Sequence, residues 1–360
     1  MKVLILANHD LGLYRFRKEL ITNLIQRGNQ VYISVPNGEY IPNLKNLGCV
    51  FINTPVDRRG INPQTDFLLF KRYVNIIKKI KPDFIITYTI KPNIYGGIVA
   101  SFHKKKYAIN ITGLGTAFEN KGIIRTIVIF LYKIALKKAK VVFVENSSIR
   151  YEILKYKLCK DSKIKVLNGA GVNTSEFAYL SYPENKNTRF LFIGRVMKEK
   201  GIEELLYATR RLFKEGFKCI LDIVGPFEDD YKRIIADFEK EGWLKYYGFQ
   251  DDVRPFIAQC DCFVLPSYHE GMANTNLECA SCGRPVITSN IPGCREAIIN
   301  KTTGFLCKSR DKYSLYKTMK CFLKLSRDER IQMGCAGREH ISKKFEKNKV
   351  VETTLNAIWQ

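Results

Sequence analysis

The sequence predicts an α/β protein made of two Rossmann-like domains. Three observations carry this. Short apolar runs alternate with helix-like segments along the chain, as parallel strands buried on both faces and joined by crossover helices would. The alternation lapses at residues 168–187 (NGAGVNTSEFAYLSYPENKN), which are rich in Asn, Gly, Ser and Pro and have no apolar period. A length of 360 residues is enough for two domains that each bury a core.

In the first half, VLILA (3–7) is followed by a helical pattern at 14–27 and then VYISV (31–35). FINT (51–54), a helix at 67–80 and FIITY (84–88) come next. A helix near 94–102, YAINIT (107–112), a long helix at 122–140 and VVFVE (141–145) complete the half. The second half repeats the scheme with RFLFIG (189–194), a helix at 202–215 and CILDIVG (219–225). A helix near 230–241, KYYGF (245–249), CFVLP (262–266), a helix from about 274 and PVITS (285–289) follow. Beyond 310 the chain reads as charged helices. The expected boundaries are 1–168 for the N-terminal domain, 169–187 for a linker and 188–344 for the C-terminal domain. A last helix at 345–360 is expected to pack back on the N-terminal domain.

Composition excludes several classes. An apolar content of 46% is too high for a disordered chain, and 24 Gly with 12 Pro is too few for a collagen-like one. The net charge is +24, unevenly placed: residues 1–180 hold 29 Lys/Arg against 11 Asp/Glu, or +18, which leaves +6 for the rest. Such a field attracts nucleic acid, an anionic membrane or phosphorylated ligands. The 11 Cys are an odd, scattered set rather than a disulfide framework. Cys260-x-Cys262 and Cys279-x-x-Cys282 have zinc-like spacing, but no His or further Cys pair completes a ligand set, so buried thiols are expected. The apolar start, MKVLILANHD, is too short for a leader and reads as a buried strand. The 122–140 helix is interrupted by Arg125 and Lys133 and ends in KKAK, so it does not read as a membrane span. It suits either packing on its own domain or lying on a membrane surface.

Ligands of open α/β sheets bind beyond the carboxyl ends of strands. After RFLFIG comes GRVMKEKG, with Arg195 and Lys200 just before a helix. Cations beside a helix N-terminus suit a diphosphate, although solvated charge is an equally physical reading. After CFVLP comes SYHEGMANTNLE, where Glu270 and Glu278 are separated by seven residues and Asn274 and Thr275 open a helix. A carboxylate can accept two vicinal hydroxyls, and the amides of Gly271 to Asn274 would face a phosphate or sugar. The alternative for Glu278 is a cap or ion pair within its own helix.

GRVMKEKG, GFQDDV, FVLPSYHEGMANTNLECASCGRPVITSNIPGCREAI and TGFL are spread along residues 188–306. In this order they resemble the retaining glycosyltransferases of family 4. Those enzymes have the GT-B fold, two Rossmann-like domains facing each other across a cleft. HDLGLYRFRKEL, TYTIKPNIYGG and NITGLGTAFENKG resemble the bacterial subgroup that builds capsules, O-antigens and lipid-linked oligosaccharides, and NGAGVNTSEF resembles its interdomain hinge.

The resemblance implies a retaining hexosyltransferase moving a sugar from a nucleotide sugar, UDP by preference, to a polyprenyl-diphosphate-linked saccharide. Glu270, Arg195 and Lys200 would be the catalytic residues: the cations on the diphosphate, Glu270 on the donor sugar and not as a nucleophile. Glu278 would hold the ribose. Gly12 (in the loop after the first strand), Gly194, Gly271, Met272, Ala273, Asn274 and Thr275 would line the donor. Phe249 and Gln250 would hold the base. Lys91, Asn93, Thr112 and Gly113, with the Gly113–Gly115 pair, would belong to the acceptor cleft. No metal or other cofactor is implied, and the acidic pairs Asp229-Asp230 and Asp251-Asp252 read as helix starts. The chain departs from the family pattern at His269, read as exposed, and at Met272, which would bear on donor choice. His9 and His103 receive no catalytic role. The expected location is cytoplasmic, at the inner face of the plasma membrane, with the basic half docked on anionic lipid. Two alternatives stay open. A nucleotide-sugar epimerase on the same fold would need an acid/base set that the motifs do not supply. A nucleic-acid binder would explain the charge, but no helix-turn-helix, RNA-recognition or finger motif accompanies it.

Overall fold

A computed structural model describes residues 1–57, 60, 62–113 and 122–359. The chain divides into two compact units, Met1–Ala170 with Asn348–Gln360, and Gly171–Lys347. The first holds a parallel sheet of β1 (Lys2–Leu6), β2 (Gln30–Val35), β3 (Val50–Asn53), β4 (Phe84–Tyr88), β5 (Lys106–Ile111), β6 (Val141–Val144) and β7 (Ile164–Val166). Its order is β3-β2-β1-β4-β5-β6-β7. The second holds β8 (Thr188–Ile193), β9 (Cys219–Val224), β10 (Leu244–Tyr246), β11 (Cys262–Leu265), β12 (Val286–Ser289) and β13 (Gly304–Cys307), ordered β10-β9-β8-β11-β12-β13. Both are doubly wound sheets, and each has its switch point beside its first strand.

Central strands such as β4, β6, β11 and β12 are buried at every residue, which is why they read as unbroken apolar runs. On one face of the first sheet, Tyr73 and Ile77 from the helix Pro63–Ile80 share a core with Tyr132 and Leu136 from the helix Ile123–Lys137. On the other, Leu20 and Leu24 of the helix Asp10–Gln26 pack with Val350 and Leu355 of the last helix, Lys347–Trp359. Trp359 meets Phe84 edge-on, with ring centroids 5.5 Å apart.

Three features differ from the expectation. The edge strands β7 and β13 were not expected as strands; β7 is three residues with a lysine at its centre and β13 is four residues that open on a glycine, so neither has the length of a strand-like apolar run. The first helix starts at Asp10 rather than near residue 14, because the His9 ring caps it by accepting the Gly12 amide at 3.4 Å. Gly12 therefore sits in a helical first turn and not in a loop. The segment expected as a linker is bound to the second unit from Gly171 onward. Arg284, fully buried, donates to the carbonyls of Leu180 (2.9 Å), Ser181 (2.8 Å), Ile257 (2.8 Å) and Ala258 (3.0 Å). The Tyr182 hydroxyl adds a bond to the Asp261 carbonyl at 3.0 Å.

All eleven cysteines are free, and Cys260, Cys262, Cys279 and Cys282 lie in the apolar core of the second unit. Burial pushes the Cys260 and Cys282 thiols up to about 12.

Replacing Arg284 with Leu should destabilise the second unit by about 3 kcal/mol or more, since several buried carbonyls lose their donor. Urea denaturation would show it, with Arg254→Ala at an exposed pair moving stability by only about 0.5 kcal/mol; an unshifted midpoint for Arg284→Leu would refute the role. Thiol titration of the native protein at pH 8 should find the exposed Cys321 and Cys335 reacting quickly and the core thiols only after unfolding.

Candidate active site

In a sheet ordered like the second one, the loops leaving the two strands at the switch point diverge and leave a crevice. Those strands are β8 and β11, and their loops carry the motifs GRVMKEKG and SYHEGMAN. The first loop ends in a short 3-10 turn, Lys198–Lys200, and Gly201 then opens the helix Ile202–Lys214 with φ +73°. A side-chain carbon on Gly201 would stand 2.2 Å from the Pro266 carbonyl oxygen, so only glycine lets the two loops touch here. The Tyr268 amide donates to the Glu199 carbonyl at 2.9 Å and joins them directly.

This contact brings Lys200 and Glu270 together across 70 residues of sequence. Lys200 Nζ lies 2.5 Å from Glu270 Oε1, and both side chains are largely buried. The same carboxylate oxygen accepts the hydroxyl of the fully buried Ser267 at 2.8 Å. Arg195 is more exposed and faces Glu228 at 3.4 Å. Both cations expected at a diphosphate are thus already opposite carboxylates. Asp229 does not start a helix. Its carboxylate accepts the Lys198 amide at 2.9 Å and so braces the first loop. Glu203 and Glu204 occupy the first turn of the helix Ile202–Lys214, bonded by the hydroxyls of Tyr231 and Tyr268 at 2.8 Å. That helix end is therefore less electropositive than its position suggests.

The helix Asn274–Ser281 begins where the sequence predicts, with Glu270 in the loop before it and Glu278 half-buried in its second turn. Gly293, at φ +83°, packs under the loop; a side chain there would stand 2.5 Å from the Glu270 carbonyl oxygen. The Ala273 amide donates to the Gly293 carbonyl at 2.8 Å, so it is not offered to a ligand as expected. Met272 and Ala273 are buried in the core of the second unit. Gly271 and Thr275 are half-buried, and His269 is half-buried rather than exposed. Asn274 Oδ1 is buried with no hydrogen-bond partner, an acceptor ready at the helix start. Gly194 is half-buried at the end of β8, Phe249 is exposed beyond β10, and the Gln250 side chain bonds the Tyr247 carbonyl at 2.8 Å.

In the first unit, Thr112 and Gly113 are half-buried at the carboxyl end of β5, whereas Gly115 lies outside the described residues. Asn93 is structural. It is buried, accepts the Thr87 hydroxyl at 2.7 Å and donates to the Asn110 carbonyl at 2.8 Å. Lys91 is paired with Asp66 at 2.7 Å. Beside them the backbone is unusual. Thr89, directly after β4, has φ +72°, a strained value for a β-branched residue, and Pro92–Gly96 forms a π-helical turn. Strain held at a switch point is a mark of a functional site. Arg17 and Glu145, which the motifs did not single out, form a buried pair at 3.2 Å with Arg17 over the Tyr88 ring. Ser267 was also missed, although its place three residues before Glu270 was a readable signal.

Residues 180–340 match the family model for glycosyl transferases group 1, and residues 2–146 match that for glycosyl transferase 4-like proteins. The chain is 28% identical over 354 residues to the N,N'-diacetylbacillosaminyl-diphospho-undecaprenol alpha-1,3-N-acetylgalactosaminyltransferase of Campylobacter jejuni, covering 93% of this chain and 92% of that one. It is 25% identical over 305 residues to the capsular polysaccharide biosynthesis glycosyltransferase CapM of Staphylococcus aureus, covering 80% and 79%. The fold is that of Anabaena Alr3699/HepE, solved with UDP and glucose, at a TM-score of 0.81, 14% identity and 99% coverage of both chains. With its two units matched to the two halves of one enzyme class, the chain belongs to the group 1, family 4-like glycosyltransferases of GT-B fold.

Proposed function

We propose that the enzyme transfers a hexose or N-acetylhexosamine from a UDP-sugar, with retention, to a polyprenyl-diphosphate-linked saccharide at the inner membrane face. The observation that carries the reading is the Lys200–Glu270–Ser267 cluster at the switch point of the second sheet. The relative that matches along almost the whole chain is named for a diphospho-undecaprenol acceptor, and HepE was solved with UDP-glucose, which supports the substrate classes.

The chemistry follows from the charges. Cleavage of the sugar–phosphate bond leaves positive charge on the anomeric carbon and releases a UDP diphosphate with one more negative charge. Lys200 leaves Glu270 for the diphosphate as that charge grows, and Arg195 supports it from the same loop. Glu270, relieved of its cation, accepts hydroxyls of the donor sugar, while the orphan Asn274 Oδ1 accepts another. Glu278 holds the ribose diol. The departing phosphate oxygen takes the proton of the acceptor hydroxyl, which attacks on the face that the diphosphate leaves, so configuration is kept without an enzymic nucleophile. In this scheme the chain's own cations neutralise the diphosphate, and no metal or other cofactor is required.

Lys200→Ala should lower kcat by about 100-fold or more with the fold intact by circular dichroism. Glu278→Ala should chiefly raise the KM for the UDP-sugar. Wild-type transfer by both variants would refute the assignment. A panel of UDP-sugars with a polyprenyl-diphosphate saccharide should show UDP release that depends on the acceptor; product sugar epimerised without acceptor would point to an epimerase instead.

A further inference from the structure

The helix Ile123–Lys137 is apolar on two sides. Its inner side, Tyr132, Ala135 and Leu136, is buried in the first unit's core. Its outer side presents Ile123, Ile127, Phe130 and Ile134, spaced four, three and four residues apart and so aligned in one stripe. Ile123 is 80% exposed and Phe130 61%. A helix apolar all round needs a second apolar neighbour, and the described residues of its unit do not cover this side.

What surrounds the stripe identifies that neighbour. Between residues 122 and 140 there is no Asp or Glu, but there are Arg125, Lys133, Lys137, Lys138 and Lys140. The helix Gly97–Phe102 packs alongside, where a side-chain carbon on Gly97 would stand 3.2 Å from Ala135 Cβ. It ends in Phe102, 81% exposed, and Lys104 and Lys106 follow, both exposed. An apolar strip on a helix that carries cations and no carboxylate complements anionic headgroups above acyl chains. A second copy of the chain would set the same cations against each other. No described helix is long and apolar enough to cross a membrane, so the geometry is in-plane.

We propose that Ile123–Lys137 lies flat in the interface of an anionic bilayer, with Ile123, Ile127, Phe130, Ile134 and Phe102 immersed and the lysines at headgroup level. The helix is the next described element after β5, whose carboxyl end is followed by Thr112 and Gly113 of the expected acceptor cleft. The inference deepens the acceptor reading above and is measured independently of it.

The test is flotation of the full-length protein with vesicles of phosphatidylcholine alone or with 30% phosphatidylglycerol (roughly the anionic content that polybasic surfaces detect). The wild type should float with the anionic vesicles and be released by salt. Ile127→Ser/Phe130→Ser should lower partitioning by about tenfold or more. Lys137→Glu/Lys138→Glu, which leaves the apolar stripe untouched, should also weaken it and guards against a folding defect in the first variant. Wild-type flotation by both variants, or no flotation of the wild type, overturns the proposal. So does a concentration-dependent dimer that Ile127→Ser/Phe130→Ser dissolves without any vesicle binding. Transfer to a short-chain, detergent-dispersed acceptor should stay at the wild-type rate in both variants. Loss of transfer in the wild type, with flotation retained, would count against the activity and not against the docking helix.

Discussion

The site depends on one close backbone approach. The loops after β8 and β11 leave neighbouring strands in diverging directions, and they meet because residue 201 has no side chain between it and the Pro266 carbonyl. That contact sets Tyr268 against Glu199 and Lys200 against Glu270. Ser267 and Asp229 fix the loops from either side, so the cation is positioned by packing rather than by its own long, mobile stem. The arrangement is preorganised and self-neutralised at once. Without ligand, a largely buried lysine and a largely buried glutamate satisfy each other, which avoids the cost of leaving either charge alone.

The charge asymmetry takes on a spatial meaning. The donor-type loops lie in the unit that carries little of the excess, and their cations already face carboxylates. In the first unit, Lys104 precedes β5 and Lys106 opens it, Lys138 and Lys140 precede β6, and Lys160 and Lys163 precede β7. In a parallel sheet these positions share the amino edge, opposite the edge where ligands bind. The excess therefore belongs to an outer surface of the fold rather than to a substrate pocket.

The fold was legible because buried parallel strands write themselves as apolar runs, and the nine interior strands are such runs. Of the four edge strands, β3 and β10 sit in longer readable apolar segments, whereas β7 (IKV) and β13 (GFLC) are too short to stand out from the polar residues around them. The Glu270 loop and the start of the helix at Asn274 were readable from glycine, asparagine and carboxylate spacing. The pairing of Lys200 with Glu270 was not, since nothing in the chain says which cation meets which carboxylate. The partners of Asn93 were unreadable for a related reason: its amide is engaged by the buried Thr87 hydroxyl and the Asn110 carbonyl, which lie elsewhere in the chain. Gly12 was misplaced because a histidine is an uncommon helix cap, so the helix start four residues earlier carried no familiar signal.

The last helix has a consequence for how the protein is made. Val350, Val351, Leu355 and Ile358 complete the core beside Leu20 and Leu24, although some 300 residues separate them in the chain. A ribosome releases the first sheet early, but one wall of its core arrives only after the whole of the second unit. The second unit, Gly171–Lys347, is contiguous and can close as soon as it has emerged. The usual order of co-translational folding is therefore reversed for these two units: the one begun first closes after the other, and its half-built apolar face stays open while the second unit is made.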